Sequence, residues 1–233
     1  VTLVMREPHY WDPLLDERSG SMIEAALRTG GVKILRQALV KTVDGQGAVS
    51  GVTLEDGTSI LCELIIAGVG AVPQVDWLKA AGVAVNRGVI TDEYLATNVP
   101  DVFAAGDCAE FKDLVLEEQV ILGNWVNAQM HGNIAARNML GEQRPFRLVS
   151  FYTAMGFGLT MAFAGDVRHQ GRRVVARGSP EAGRFARLIV DDHDELVGAT
   201  FINRTNELQP VCRLIERNVK VSAIEKILVD STV

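Results

Sequence analysis

The stretch Thr97-Asn98-Val99-Pro100-Asp101-Val102-Phe103-Ala104-Ala105-Gly106-Asp107 decides the fold. Val102 to Ala105 is a short uncharged apolar run, which predicts a strand buried on both faces of a parallel sheet. The run stops at Gly106, and a carboxylate follows. Glycine there has no Cβ to hold a ligand off the backbone, and the Asp107 carboxylate can accept hydrogen bonds from sugar-like hydroxyls. In open α/β sheets cofactors bind past the carboxyl ends of the strands, so Gly106 and Asp107 lead the candidate binding residues.

Upstream, the chain opens on Val1 to Met5 as a strand. Met22, Ile23, Ala26 and Leu27 recur at helical spacing between Asp16 and Thr29, with Gly30-Gly31 as the stop. Val32 to Leu35 reads as a strand. Ala38 to Val43, Ala48 to Leu54 and Thr58 to Leu61 read as an antiparallel meander whose turns carry Asp44-Gly45 and Asp56-Gly57. The Leu-Ile-Ile-Ala run within Glu63 to Gly68 predicts a buried parallel strand, and Trp77 to Ala81 a short helix with Trp77 as a packing residue. Val89-Ile90 begins another strand.

Downstream, Asn124 to Leu140 predicts a helix capped by Asn124, with Trp125, Ala128, Ile134, Ala135 and Met139 mostly on its apolar face. His131 on that helix has no partner at metal spacing and reads as a surface or capping histidine. Cys108 reads as a buried thiol. Beyond Pro145-Phe146 the pattern changes to five antiparallel runs, Ser150 to Ala154, Leu159 to Gly165, Arg172 to Gly178, Phe185 to Asp191 and Leu196 to Ile202. Two helices follow, Asn206 to Asn218 and Ala223 to Leu228. Asp166, Asp191, Asp192 and Asp194 read as turn formers rather than a metal cluster.

The T-x5-F-A-x-G-D pattern ending at Asp107 resembles the second flavin-binding motif of the FAD-dependent pyridine nucleotide-disulfide oxidoreductase superfamily. Gly68-Val69-Gly70-Ala71-Val72-Pro73 resembles the G-x-G-x-x-P linker that leaves the NAD(P)H domain of the same proteins. Trp125, Ala128 and Gly132 match the W-x-x-A-x-x-x-G helix of the ferredoxin/rubredoxin-reductase-like branch. The resemblance implies an α/β chain of partial doubly wound (Rossmann-like) segments followed by an α+β domain with a five-stranded antiparallel sheet. It divides the chain into 1–66, the second half of an NAD(P)H-binding domain, 67–145, the C-terminal segment of an FAD-binding domain, and 146–233, an interface and dimerisation domain.

The resemblance further implies that Gly106, Asp107, Trp125 and Val126 contact FAD and that Arg6 and Gly70 lie on the NAD(P)H side, with no catalytic side chain and no metal. Met5 stands where NAD-specific relatives carry an acid, and the neighbouring Arg6 tilts the expectation toward NADPH. Phe151 and Tyr152 fall where relatives place an aromatic near the flavin ring, or else in the core. The implied function is electron transfer from NAD(P)H through FAD to a ferredoxin- or rubredoxin-type protein or a small-molecule acceptor, with possible homodimerisation through the C-terminal domain. Coenzyme A-disulfide reductase, NADH oxidase and nitrite reductase types, and a non-catalytic dimerisation or binding piece, are the alternatives. Neither G-x-G-x-x-G loop of the superfamily is in the sequence, so the chain reads as a portion of a longer flavoprotein, without pyrophosphate loops of its own.

Composition agrees with this class and excludes others. The 233 residues are 48% apolar and 22% charged with a net charge of −6, which leaves no basic surplus for nucleic acid or an anionic membrane. Three scattered cysteines make neither a disulfide framework nor a zinc site and suit a reducing cytoplasm. No run approaches the roughly 20 apolar residues of a membrane span.

Overall fold

The computed structural model describes residues 1–228; the expected C-terminal domain limit at Val233 lies outside the described residues. Strand β1 (Thr2–Val4) pairs in parallel with β2 (Lys33–Leu35), and helix α1 (Glu17–Thr29) connects them. The Asp16 carboxylate caps α1 by accepting the Ser19 amide at 3.0 Å, and Gly31 ends it at a left-handed φ of +85°. An antiparallel meander of β3 (Val40–Gly45), β4 (Val49–Leu54) and β5 (Ser59–Leu61) follows. Next, β6 (Val89–Ile90) runs parallel to β7 (Ala109–Asp113), which pairs on its other side with the antiparallel β8 (Glu118–Val120). Helix α2 (Trp125–Met139) leads to the five strands expected of the C-terminal domain.

Those strands are β9 (Phe151–Gly156), β10 (Leu159–Gly165), β11 (Arg173–Ser179), β12 (Arg184–Val190) and β13 (Leu196–Ile202), in the order β11-β12-β13-β10-β9. Their side chains alternate between two cores, with one shift of register between β12 and β13 at Ile189/Val190. Ala162, Ala164, Leu188, Ala199 and Phe201 meet helix α3 (Leu208–Glu216) through Leu208, Val211, Cys212 and Ile215, and helix α4 (Val221–Leu228) through Val221. The alternate residues Met161, Phe163, Phe185, Ile189 and Ile202 point the other way. They pack against Leu15, Ile23 and Leu27, with Leu3 and Ile34 beside them, so the β1-α1-β2 unit covers the opposite face. The Arg187 guanidinium adds an ion pair across this seam to Asp16 at 3.4 Å.

Two predicted strands are absent. Leu64, Ile65 and Ile66 lie in an extended ribbon with no ladder, and Leu64 and Ile66 are largely exposed. Val102 to Ala105 forms an isolated antiparallel bridge, Ala96 to Phe103, rather than a parallel strand. Both runs have the composition of inner strands, but no partner strand flanks them among the described residues, and an apolar run without a ladder stays open. Trp77 is likewise 73% exposed rather than packed. No helix is long and apolar enough to cross a membrane, and no group of metal-ligating side chains assembles among the described residues.

Candidate functional site

Gly106, Asp107 and Cys108 form one 3-10 turn that feeds directly into β7. The backbone of Gly106 has φ +80°, a conformation that a side chain would strain. A Cβ on Gly106 would stand 3.6 Å from Ala128 of α2, an ordinary packing distance, so it is the left-handed turn that calls for glycine here. The turn is tied at both ends. Ala109 donates its amide to the Gly106 carbonyl, and the Cys108 thiol, half-buried rather than fully enclosed, donates to the Ala105 carbonyl at 3.4 Å. Asp107, between these ties, is exposed.

The opposite wall is the start of α2. Asn124 caps it, its side-chain oxygen accepting the Asn127 amide at 2.9 Å while its amide group donates to the Ser150 hydroxyl at 3.0 Å. Gly123, just before the cap, leaves open the space where a Cβ would meet the Asp107 carboxylate at 3.5 Å. The geometry therefore joins Gly106, Asp107, Gly123, Trp125 and Val126 in one place, a carboxylate beside a helix N-terminus. The first amides of an α-helix have no acceptor within it, which makes that end attractive to negative charge. Trp125 is 83% exposed here, so it is not a core anchor.

Arg6 and Gly70 are elsewhere. Arg6 stands exposed just past β1, its Nε 2.7 Å from the Glu7 carboxylate. Gly70 has φ +87° in the exposed ribbon after the meander. Among the described residues no hydrogen bond or ion pair joins either to Asp107.

Further findings extend or correct the sequence reading. The buried face of α2 is polar: Asn127, His131, Ala135 and Asn138 point inward, while Trp125 and Met139 point out. Asn138 donates to the Tyr94 and Arg144 carbonyls at 2.7 and 2.8 Å, and so the polar face holds two loops. His131 is fully buried, its Nδ1 accepting the Gly106 amide at 3.3 Å. The sequence reading of His131 as a surface or capping histidine is corrected here, because the partner it serves is a backbone amide 25 residues away that no local spacing reveals. Tyr152 stacks on Phe163 with centroids 4.6 Å apart, and burial pushes its hydroxyl up to about 12. It lines a cleft of about 370 Å3 with Leu14, Gly123, Asn124, Ser150 and Phe163, where the three segments of the chain meet. Asp166 does more than form a turn, since it is buried and holds Arg168 and Arg172, each at 2.7 Å.

A parallel β-α-β unit, a carboxylate beside a helix N-terminus and a five-stranded antiparallel sheet backed by helices together define a mixed α/β architecture. The family model for pyridine nucleotide-disulphide oxidoreductases matches residues 1–132 and that for a reductase C-terminal domain matches residues 156–233, and the chain belongs to the pyridine nucleotide-disulphide oxidoreductase family. It is 34% identical over 210 residues, 90% of this chain and 51% of the relative, to the ferredoxin-NAD(+) reductase component of the biphenyl dioxygenase system of Paraburkholderia xenovorans. A ferredoxin reductase of Rhodopseudomonas palustris superposes with a TM-score of 0.82 at 25% identity, over 90% of this chain and 52% of that one. The covalent putidaredoxin reductase-putidaredoxin complex shares the fold at a TM-score of 0.90 and 24% identity, over 100% of this chain and 56% of that chain. The chain thus spans about half the length of the relatives it matches.

Proposed function

We propose that this chain supplies the C-terminal part of a flavoprotein that takes electrons from NAD(P)H and passes them through FAD to a small iron-sulfur protein of ferredoxin or rubredoxin type. The observation that carries the reading is the exposed Asp107 carboxylate, held on a tied turn beside the N-terminus of α2. The residues present fit the polyhydroxyl chain and pyrimidine end of a flavin: a carboxylate for hydroxyl donors, free helix amides for developing negative charge, and Gly123 leaving room between them. When bound, FAD supplies the redox chemistry, accepting hydride equivalents and releasing electrons.

This chain's residues then bind and orient. Asp107 accepts hydrogen bonds from the ribityl hydroxyls, at roughly 1.5–3 kcal/mol for a charged acceptor. The amides of Trp125 and Val126 stabilise negative charge by about 0.3–2 kcal/mol. Arg6 and Gly70 serve the nicotinamide nucleotide. Cys62, Cys108 and Cys212 are all free, and burial pushes the Cys212 thiol up to about 11, which suits a structural thiol in a reducing cytoplasm. The names of the relatives, reductases of ferredoxin and rubredoxin, support the acceptor class.

Asp107→Ala tests the reading in the flavin-loaded protein. The FAD dissociation constant should rise by roughly tenfold or more, with the flavin-to-protein absorbance ratio falling after gel filtration. Stoichiometric flavin in the purified variant would overturn the assignment.

A further inference from the structure

The hydrogen bonds and packing around His131 go beyond what a buried helix residue needs. Its ring is fully enclosed, between Phe111 at 4.4 Å and Phe146 at 4.2 Å, both planes nearly perpendicular to it. Its Nδ1 accepts the amide of Gly106 at 3.3 Å, which requires the neutral tautomer with the proton on Nε2. That Nε2 is buried with no hydrogen-bond partner among the described residues. A buried unpaired donor is costly, and a leucine would fill the same apolar space without it. What histidine offers and leucine lacks is an acceptor for the one amide that sits on the left-handed glycine before Asp107. Burial holds the imidazole uncharged by pulling its pKa down to about 4, against a smaller upward pull from Asp107.

We propose that His131 is a positioning residue for the flavin site: by accepting the Gly106 amide from inside the protein, it fixes the turn that presents Asp107. The inference rests on the reading of Asp107 as a flavin ligand. Three ties then hold the turn, His131 to the Gly106 amide, Ala109 to the Gly106 carbonyl and Cys108 to the Ala105 carbonyl. Of these, only the first couples the turn to α2, whose N-terminus forms the other wall. His131 therefore sets the spacing between carboxylate and helix end without touching the flavin.

Two substitutions separate this role from packing. Asn places its side-chain oxygen one bond from Cγ, as histidine places Nδ1, and keeps the acceptor; Leu removes it and keeps the apolar volume. FAD dissociation constants of the holoprotein should rise roughly threefold to tenfold in His131→Leu, the value of one hydrogen bond, and return to within about twofold of the parent in His131→Asn. A nitrogen-15 spectrum of the holoprotein at pH 6 should show an unprotonated Nδ1 and a protonated Nε2 for His131, a readout that needs neither variant to fold. Unchanged flavin affinity in His131→Leu, equal losses in the Leu and Asn variants, or a protonated Nδ1 would overturn the proposal. Asp107→Ala measured alongside keeps the two readings apart. If it alone weakens flavin, the His131 role fails; if His131→Leu weakens flavin with Asn rescue while Asp107→Ala does not, the turn is positioned as proposed and the carboxylate assignment fails.

Discussion

The Arg6 guanidinium goes no further than its neighbour. Its hydrogen bond to Glu7 raises its own pKa and lowers that of the carboxylate, so both stay charged at neutral pH. The acid that Met5 lacks thus stands two residues on, paired with the arginine that would otherwise await a 2′-phosphate. An arginine held this way is a less ready fork for a 2′-phosphate than Met5-Arg6 read alone implies. We predict a higher kcat/KM with NADH than with NADPH for the flavin-loaded protein, and a several-fold shift of that ratio toward NADPH in Glu7→Gln, which frees the guanidinium. A parent enzyme that prefers NADPH would refute the inference. Spacing rules cannot see such a pair, because adjacent residues are close in any conformation and only the fold decides whether their tips meet.

Helix α2 joins the site to its scaffold. Asn124 has two jobs, capping the helix through its oxygen and reaching Ser150 through its nitrogen, so the helix start is fixed to the entrance of the C-terminal domain. Asn124→Ala should lower stability by about 1 kcal/mol, the usual loss of a cap, measured as a drop in urea midpoint at constant slope. No change in midpoint would mean that the cap is replaced by solvent. The cap and the helix limits were legible in the sequence, since Asn before a helical run is a local signal. The inward face was legible only in part: of the residues that apolar periodicity selected, Ala135 is buried and Ile134 packs beside it, but Trp125 and Met139 are exposed, and the structure also buries Asn127, His131 and Asn138. His131 and Asn138 bond to backbone groups that hydrophobic spacing does not reveal, while the Asn127 side-chain amide group has no hydrogen-bond partner among the described residues. The Val102 to Ala105 and Leu64 to Ala67 runs failed in the opposite sense, being strand-like in composition yet without ladder partners among the described residues.

At the scale of the whole molecule, all five C-terminal strands and the two helices behind them follow the sequence, because alternation and turn glycines are local. That the other sheet face is covered by residues near the N-terminus was not legible, as it depends on contacts about 140 residues apart in sequence. Ile23 is the test of that seam. It is 4% exposed among Met161, Phe163, Phe185 and Ile189 side chains, and Ile23→Ala should cost about 2–5 kcal/mol in urea unfolding. The loss should also speed proteolysis of α1 relative to the sheet. A change below 0.5 kcal/mol would show that the two units fold without each other. Phe157 marks the rim of the same seam, its ring lying where a Cβ on Gly30 would be, 2.5 Å away.

The sheet that presents Leu188 to one core and Ile189 to the other leaves no lenient side. Adding or deleting one residue within β10, β12 or β13 would hand each core the side chains shaped for its neighbour, with Arg187 thrust among the helices. Lineages of this domain should therefore vary in length at the bends, residues 166–172, 179–183 and 191–195, while the lengths of the strands between them stay frozen.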